Sequence, residues 1–475
     1  MATCRPTKLL PRLLWLTALL VCAAPLGARD VAAASDGTLR FGPCHAGFRD
    51  GVLRLGNGRI ERTWRVEADG ALTALSMFDA VQRLEWIDGP ASAVRPIDDA
   101  PPPCVLTAQS GPAGPTEEPS LRVALRVGSG GGSVLHRFQI FAGVAAIVAE
   151  RSVEQGSLAA PAVERLNRIE SFAPAPAGWA LTRVRFYDRT DLYAGPLVVE
   201  RPGLAVTAAD ANDAEPTAAG GRFRGNVFFI EDPQTTAGVL WLKHAPLPDE
   251  RPLAMDAKGA VVRRLHDLAV HQGRLTLDSH ELDAAGGRTY RTVALVYQGG
   301  RPGRIAALQR YHRQLRTYEP ERDGLLLCNF WGEWNSNKNL SGPFLEREIE
   351  AAARLGVDVF EVDAGWQHGP YPNSIDRKKR DAVGHYGTHP RYWDFHPQRF
   401  PDGIKPFVTQ ARARGLQFGI WFPPDSFDEL GAWEKDKARV LELHRREGAN
   451  YFKFDLLRIT TRRAEERFQR LVEEL

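Results

Sequence analysis

Five residues near the end of the chain, Tyr451-Phe452-Lys453-Phe454-Asp455, carry an apolar run into a carboxylate, with a lysine two residues before it. In an extended strand, positions i and i+2 face the same side. Lys453 and Asp455 then share one face and the aromatics the other. A cation at that range favours the charged form of a carboxylate. A charged carboxylate held at the mouth of a parallel sheet has the chemistry for covalent attack on the anomeric carbon of a sugar. An ordinary ion pair at a strand end would use the same five residues, so the upstream chain has to separate the two readings.

Polar and aromatic residues recur at three earlier strand ends. Asn329, Trp331 and Glu333 follow an apolar run at 325–330. Asp363, Trp366 and Gln367 follow a second at 357–362, and Trp421 and Asp425 follow a third at 417–421. Tryptophan offers a flat apolar face for a pyranose ring, while carboxylates and amides bind its hydroxyls. Helical patterns lie between these runs. One opens at Ser341 and Pro343 and stops at Gly356; the next covers 404–414 and stops at Gly415; the third covers 431–446 and stops near Gly448. A last one starts at Thr461, and its Glu465, Glu466, Glu473 and Glu474 are expected to face solvent. Repeated strand–helix units with apolar strands imply a parallel sheet with helices outside it. The active sites of parallel barrels form at the C-terminal ends of the strands. No GxGxxG follows the first strand, which disfavours a nucleotide-binding open sheet. The connection at 364–400 is long enough to be functional or disordered. It carries Trp366, Tyr371, Tyr386, Tyr392 and Trp393 with His368, His385, His389 and His396. An aromatic substrate wall is the preferred reading, with a packed lid as its rival, and the histidine spacings match no strong metal pattern.

The part before Gly299 has a different character. Short runs of strand type recur at 51–55, 60–66, 121–127, 134–141, 227–230, 239–242 and 292–297, separated by Gly-, Pro- and Asn-rich turns. Many hairpin-like strands favour a β-sandwich. Arg183, Arg185, Asp188 and Asp191 form a charged cluster that reads as a solvated loop. Residues 304–316 have helical spacing and read as a linker. The net charge of +3 over 475 residues gives no support for a nucleic-acid partner. Arg5, Lys8 and Arg12, an apolar stretch at 13–28 and small residues up to Ala34 have the order of an export signal, cleaved after Ala28 or Ala34. No later stretch is long and apolar enough for a membrane span, so a secreted or periplasmic location is expected. Cys44, Cys104 and Cys328 then remain; Cys44 and Cys104 pair or stay as buried thiols.

The second part resembles the family 36 α-galactosidases. Phe360-Glu361-Val362-Asp363-Ala364-Gly365-Trp366 is similar to the family's segment ending Asp-Asp-Gly-Trp. Phe400-Pro401-Asp402-Gly403-Ile404-Lys405-Pro406 resembles its Phe-Pro-Asn-Gly-Leu-Lys-Pro. Gly419-Ile420-Trp421-Phe422 resembles Gly-Leu-Trp-Phe, and Tyr451-Phe452-Lys453-Phe454-Asp455 resembles Tyr-Ile-Lys-Trp-Asp. The resemblance implies an all-β supersandwich followed by a (β/α)8 TIM barrel. It also implies retaining hydrolysis of terminal α-galactosides without a cofactor or metal. Asp455 would be the nucleophile, and Asp363, Lys453, Trp366, Trp421, Asp425 and Trp331 would bind or shape the sugar site. Two departures touch recognition. Ala364 stands where the family has a second aspartate, and Pro423-Pro424-Asp425 stands for its Glu-Pro-Glu.

An eight-stranded barrel takes about 250 residues, and the roughly 150 after Gly324 supply about four βα units. The expected division is therefore 1–34 signal peptide, 35–300 β-sandwich, 301–323 linker helix and 324–475 partial barrel. The acid/base carboxyl is expected to lie outside this chain, and the sheet to have exposed edges. The partner implied is an α-linked galactoside or oligosaccharide, with no nucleic acid and no membrane after signal cleavage; self-association is left open. An inactive carbohydrate-binding relative and an α-glycosidase for another sugar are the alternatives.

Overall fold

Alternation of residue type builds the first part of the chain. In Ile60–Val66, the residues Ile60, Arg62, Trp64 and Val66 are buried while those between them are half-buried. This is the period of a strand with one face on a core. A computed structural model of the chain describes residues 29–30, 38–88, 102–114, 116–129, 132–176, 179–185, 197–202, 220–245, 264–332, 337–370 and 377–475. Glu333, Tyr371, Asp188, Asp191 and nearly all of the stretch expected to be an export signal fall outside these. Arg29–Asp30, inside the signal as bounded at residue 34, pairs with Gln109 and Ser110. Cleavage after Ala28 keeps that pairing and cleavage after Ala34 removes it.

Among the described residues, three antiparallel sheets make the sandwich. The largest has eleven strands, among them Ser120–Ser129, Gly132–Phe141, Ala146–Gly156, Thr292–Gln298 and Ala237–Lys243. A six-stranded sheet runs in chain order from Leu39–Phe41 to Leu84–Glu85. A four-stranded sheet joins Arg168–Phe172, Arg274–Asp278, His266–His271 and Gly220–Gly225. Side chains from all three meet in one core that includes Leu53, Trp64, Leu125, Phe138, Trp241, Phe172 and Leu268. The two smaller sheets thus cover one face of the large one. Neighbouring residues on the same strands, Phe141, Leu240 and Leu295, point to the other face, where the helix Gly300–Leu315 covers them with Ala307 and Tyr311. Each large apolar side chain removed from water contributes about 1.5–3 kcal/mol. An ion pair also crosses the core. Arg62, on the inner face of its strand, reaches Glu170 of the four-stranded sheet at 2.9 Å and lies over the Trp64 ring. The helix Ala160–Asn167 was not foreseen in this part. Cys44, Cys104 and Cys328 are free thiols.

The fourth sheet is parallel, in the order Leu327–Asn329, Val359–Val362, Gln417–Trp421 and Tyr451–Lys453. Helices Gly342–Leu355, Lys405–Ala413 and Trp433–Glu442 connect these strands, and Arg462–Glu473 follows the last. The first of these helices carries Pro343 in its opening turn and ends at Gly356, whose φ of 75° is the left-handed cap that glycine adopts without a Cβ penalty. Phe360, Val362, Phe418 and Ile420 face the helices and form their core. Both outer strands of this sheet are edges among the described residues, and Leu326 beside the first is 62% exposed. No helix of the described residues is long and apolar enough to cross a membrane.

Two expectations are corrected. The fourth strand ends at Lys453, so Asp455 lies in the loop beyond it. Glu465 does not face solvent: it accepts from Arg264 at 2.8 Å and from the Tyr290 hydroxyl, both in the sandwich part. A buried guanidinium draws in the carboxylate nearest to it, because burying an unpaired charge is costly.

Candidate active site

The parallel register lines up side chains in rungs. Asn329 pairs with Glu361, Glu361 with Gly419, and Gly419 with Tyr451. Because i and i+2 share a face, the next rung on that side holds Asp363, Trp421 and Lys453, with Trp331 beyond the end of the first strand. Trp421 and Lys453 are register partners. The face away from the helices is therefore polar, and it is two rungs deep.

The two rungs form one connected network. The Lys453 ammonium is 2.9 Å from Asp363 Oδ2 and 4.0 Å from Glu361 Oε1. Asn329 Nδ2 donates to the same two oxygens, at 2.7 Å to Asp363. Its own Oδ1 accepts from the Trp331 backbone at 2.7 Å. Asp363 Oδ1 accepts from the Ala364 N–H at 2.8 Å. Burial works against the Lys453 charge, but the hydrogen bond and charge of Asp363, with Glu361 and Asp455 behind, raise its pKa on balance. Burial, helped by the negative charge of Asp363, pushes the Glu361 carboxyl up to about 7 against the pull of Lys453.

Asp455 stands apart from this pair. It is half-buried. Its Oδ2 accepts from the Trp421 indole N–H at 3.1 Å, and its Oδ1 from the Leu456 N–H at 2.6 Å. Leu456 has a φ of 53°, a left-handed conformation that a leucine adopts at a cost. That turn bends the chain back so that its own N–H meets the carboxylate. The Lys453–Asp455 partnership expected from spacing is thus replaced by two others: Lys453 holds Asp363, and Trp421 holds Asp455. Leaving the strand after Lys453 breaks the i, i+2 alignment that the expectation rested on.

The remaining assigned residues divide. Trp366 is fully buried; its ring stacks on Trp393 at 5.7 Å and its indole N–H donates to the Trp421 carbonyl at 2.8 Å. It supports Trp421 from behind and offers no face to a sugar. Asp425 is buried as well. Its oxygens accept from the backbone N–H groups of His385 at 2.8 Å and Phe427 at 3.1 Å, which makes it a loop clamp and not an open hydroxyl ligand. The long connection contains a helix, Arg377–Thr388. Tyr392 and Trp393 are buried, with Trp393 stacked on Phe422 at 4.3 Å. This is the packed lid, and the described aromatics of the connection do not form the exposed wall that was preferred. Asp436, which the sequence reading passed over, accepts from the Tyr386 hydroxyl at 2.9 Å and the Asp425 N–H at 2.8 Å. Glu361 was also missed. The signal for it was a carboxylate inside an otherwise apolar strand, two residues before Asp363. Among the described residues no group of three or more His, Cys, Asp or Glu is arranged to hold a metal.

Residues 309–438 match the Melibiase family model. The chain is 29% identical over 121 residues to an α-galactosidase of Escherichia coli, covering 25% of this chain and 15% of that protein. It is 30% identical over 135 residues to α-galactosidase C of Emericella nidulans, covering 27% and 16%. The chain is α-galactosidase-like. The matched stretches thus span less than a fifth of these curated relatives. In fold, the α-galactosidase-like chain superposes on a family 36 α-galactosidase of Geobacillus stearothermophilus with a TM-score of 0.58, at 12% identity, over 90% of this chain and 70% of that one. A second structure from that organism, solved with raffinose, gives a TM-score of 0.57 at 11% identity, over 89% and 70%. At this identity the likeness is one of fold: the multi-sheet sandwich part followed by the parallel part is consistent with those neighbours.

Proposed function

We propose that the chain is part of an exported, retaining α-galactosidase in which Asp455 is the nucleophile. One observation carries this reading. A half-buried carboxylate, oriented by an indole N–H and a backbone N–H, stands in the loop just beyond a lysine–aspartate pair at the C-terminal end of a parallel sheet. Asp455 attacks the anomeric carbon, and the C–O bond to the leaving group breaks with its electron pair passing to the departing oxygen. Water then cleaves the glycosyl-enzyme with overall retention. Asp363 and Lys453 hold hydroxyls of the sugar, and Trp331 flanks them. The acid/base needs a second carboxyl about 5–5.5 Å from the nucleophile. None of the site residues described above takes that part. The relative solved with raffinose supports an α-galactoside oligosaccharide as substrate. Export rests on the N-terminal leader.

Ala364 and Pro423, which stand where the family has carboxylates, favour as second readings a binding protein without turnover and an α-glycosidase for another sugar. The test uses dinitrophenyl α-galactoside, whose phenolate leaves without a proton and so bypasses the acid. The expected result is release of dinitrophenolate with a galactosyl mass added to the peptide carrying Asp455, and neither with Asp455→Ala. Galactose binding without label or release would favour the binding protein. Release from a different aryl α-glycoside would change the sugar.

A further inference from the structure

Beneath the Lys453–Asp363 pair lies a carboxyl that the proposed reaction does not use. Glu361 is 1% exposed. Its stem lies over Gly419, where a Cβ would come within 3.2 Å of it and within 3.1 Å of the Tyr451 ring, so the missing side chain of the third strand makes its berth. Glu361 Oε1 and Asp363 Oδ2 draw on the same two donors, the Asn329 amide and the Lys453 ammonium. Among the described residues, the charged and titratable groups facing it are Asp363, which follows its own strand, and Lys453, Tyr451 and Asp455 on or beyond the fourth; the first and third strands bring Asn329 and Gly419. Two buried carboxylates thus compete for one cation, with a third carboxylate close by. Like charges in such a site cannot all be satisfied, and a proton on one of them relieves the conflict.

We propose that Glu361 is a positioning residue that regulates sugar binding by its protonation: as the acid it leaves Lys453 and Asn329 to Asp363, and as the carboxylate it draws both away from Asp363 and loosens the hydroxyl-binding pair. This rests on the reading that Asp363 and Lys453 hold the sugar. The carboxyl's rise to about 7, caused first by burial, puts the change within the neutral range. In the folded protein the proton is kept to about pH 7, against 4.5 in an unperturbed glutamate. Its contribution to stability is therefore complete below 4.5 and is lost as pH climbs through 7.

The experiment is calorimetric titration of the full chain with galactose, which has no titrating group between pH 5.5 and 8.5. The wild-type dissociation constant is expected to rise about tenfold across pH 7, the loss of a hydrogen bond or more. In Glu361→Gln, which keeps shape without charge, it should stay level. A level wild-type profile overturns the proposal even when the variant does not fold, and so does an equal rise in the variant. Should galactose not bind at any pH, the proposed function fails, and Glu361 is judged by melting. The wild-type midpoint must then fall relative to that of Glu361→Gln between pH 5 and 8, and parallel curves overturn the assignment.

Discussion

Among the described residues Asp455 accepts two hydrogen bonds, one from its neighbour Leu456 and one from Trp421 at the end of the third parallel strand. A hydrogen bond to a charged group contributes about 1.5–3 kcal/mol, so Trp421→Phe should slow galactosyl transfer to Asp455 by roughly 10- to 100-fold. The burst of dinitrophenolate reads this, and a melting curve confirms a folded variant. Gly419 tests the packing one rung below. A methyl there meets Tyr451 at 3.1 Å and Glu361 at 3.2 Å. Gly419→Ala is expected to cost about 1–3 kcal/mol by overpacking, read from urea unfolding. Neither residue carries charge, yet each decides where a carboxylate sits.

At the scale of elements, the lid is clamped by carboxylates. Asp425 gathers the N–H groups of His385 and Phe427, and Asp436 binds both Asp425 and Tyr386. Burial, with the nearby charge of Asp425, pushes the Asp436 carboxyl up to about 7 against these hydrogen bonds. The folded state holds that proton where an unfolded aspartate, at 3.8, has lost it. The stabilisation is full below pH 4 and disappears as pH rises through 7. The melting midpoint of the wild type should therefore fall relative to Asp436→Asn between pH 4 and 8. A constant gap would show that Asp436 does not titrate in that window. Most of this element could not be read from the chain. The spacing of Trp366, Tyr392 and Trp393 is the same for an exposed wall and a packed lid. Their burial and the stacking of Trp366 on Trp393 and of Trp393 on Phe422 separate them.

At the scale of the molecule, the sandwich and the parallel part are joined by buried charge. Arg264, 1% exposed, donates to Glu465 and to the Ile459 carbonyl. Arg462 lies over the Tyr290 ring and pairs with Glu281 at 3.4 Å. Ile459 and Arg462 follow the turn that carries Asp455, so the sandwich anchors the chain just beyond the candidate site. Removing one partner of a buried pair costs about 3–5 kcal/mol, whereas apolar replacement of both is often tolerated. Arg264→Ala should therefore split thermal unfolding into two steps. The double change Arg264→Met with Glu465→Leu should restore most of the single transition, and calorimetry distinguishes the outcomes.

Local pattern alone determined much of this protein. The strands around 60–66 and 417–421, the helix closed by Gly356 and the acidic residues at the ends of parallel strands all follow from period, caps and apolar runs, because those act over a few residues. The pairing of those residues was decided by the tertiary structure. Lys453 serves Asp363 and not its near neighbour Asp455, Glu361 is sealed beneath them, and Glu465 leaves solvent for Arg264. The physical reason is the same in each case. Which donor reaches which carboxylate depends on strand register and burial, and both are set by contacts between residues far apart in the chain.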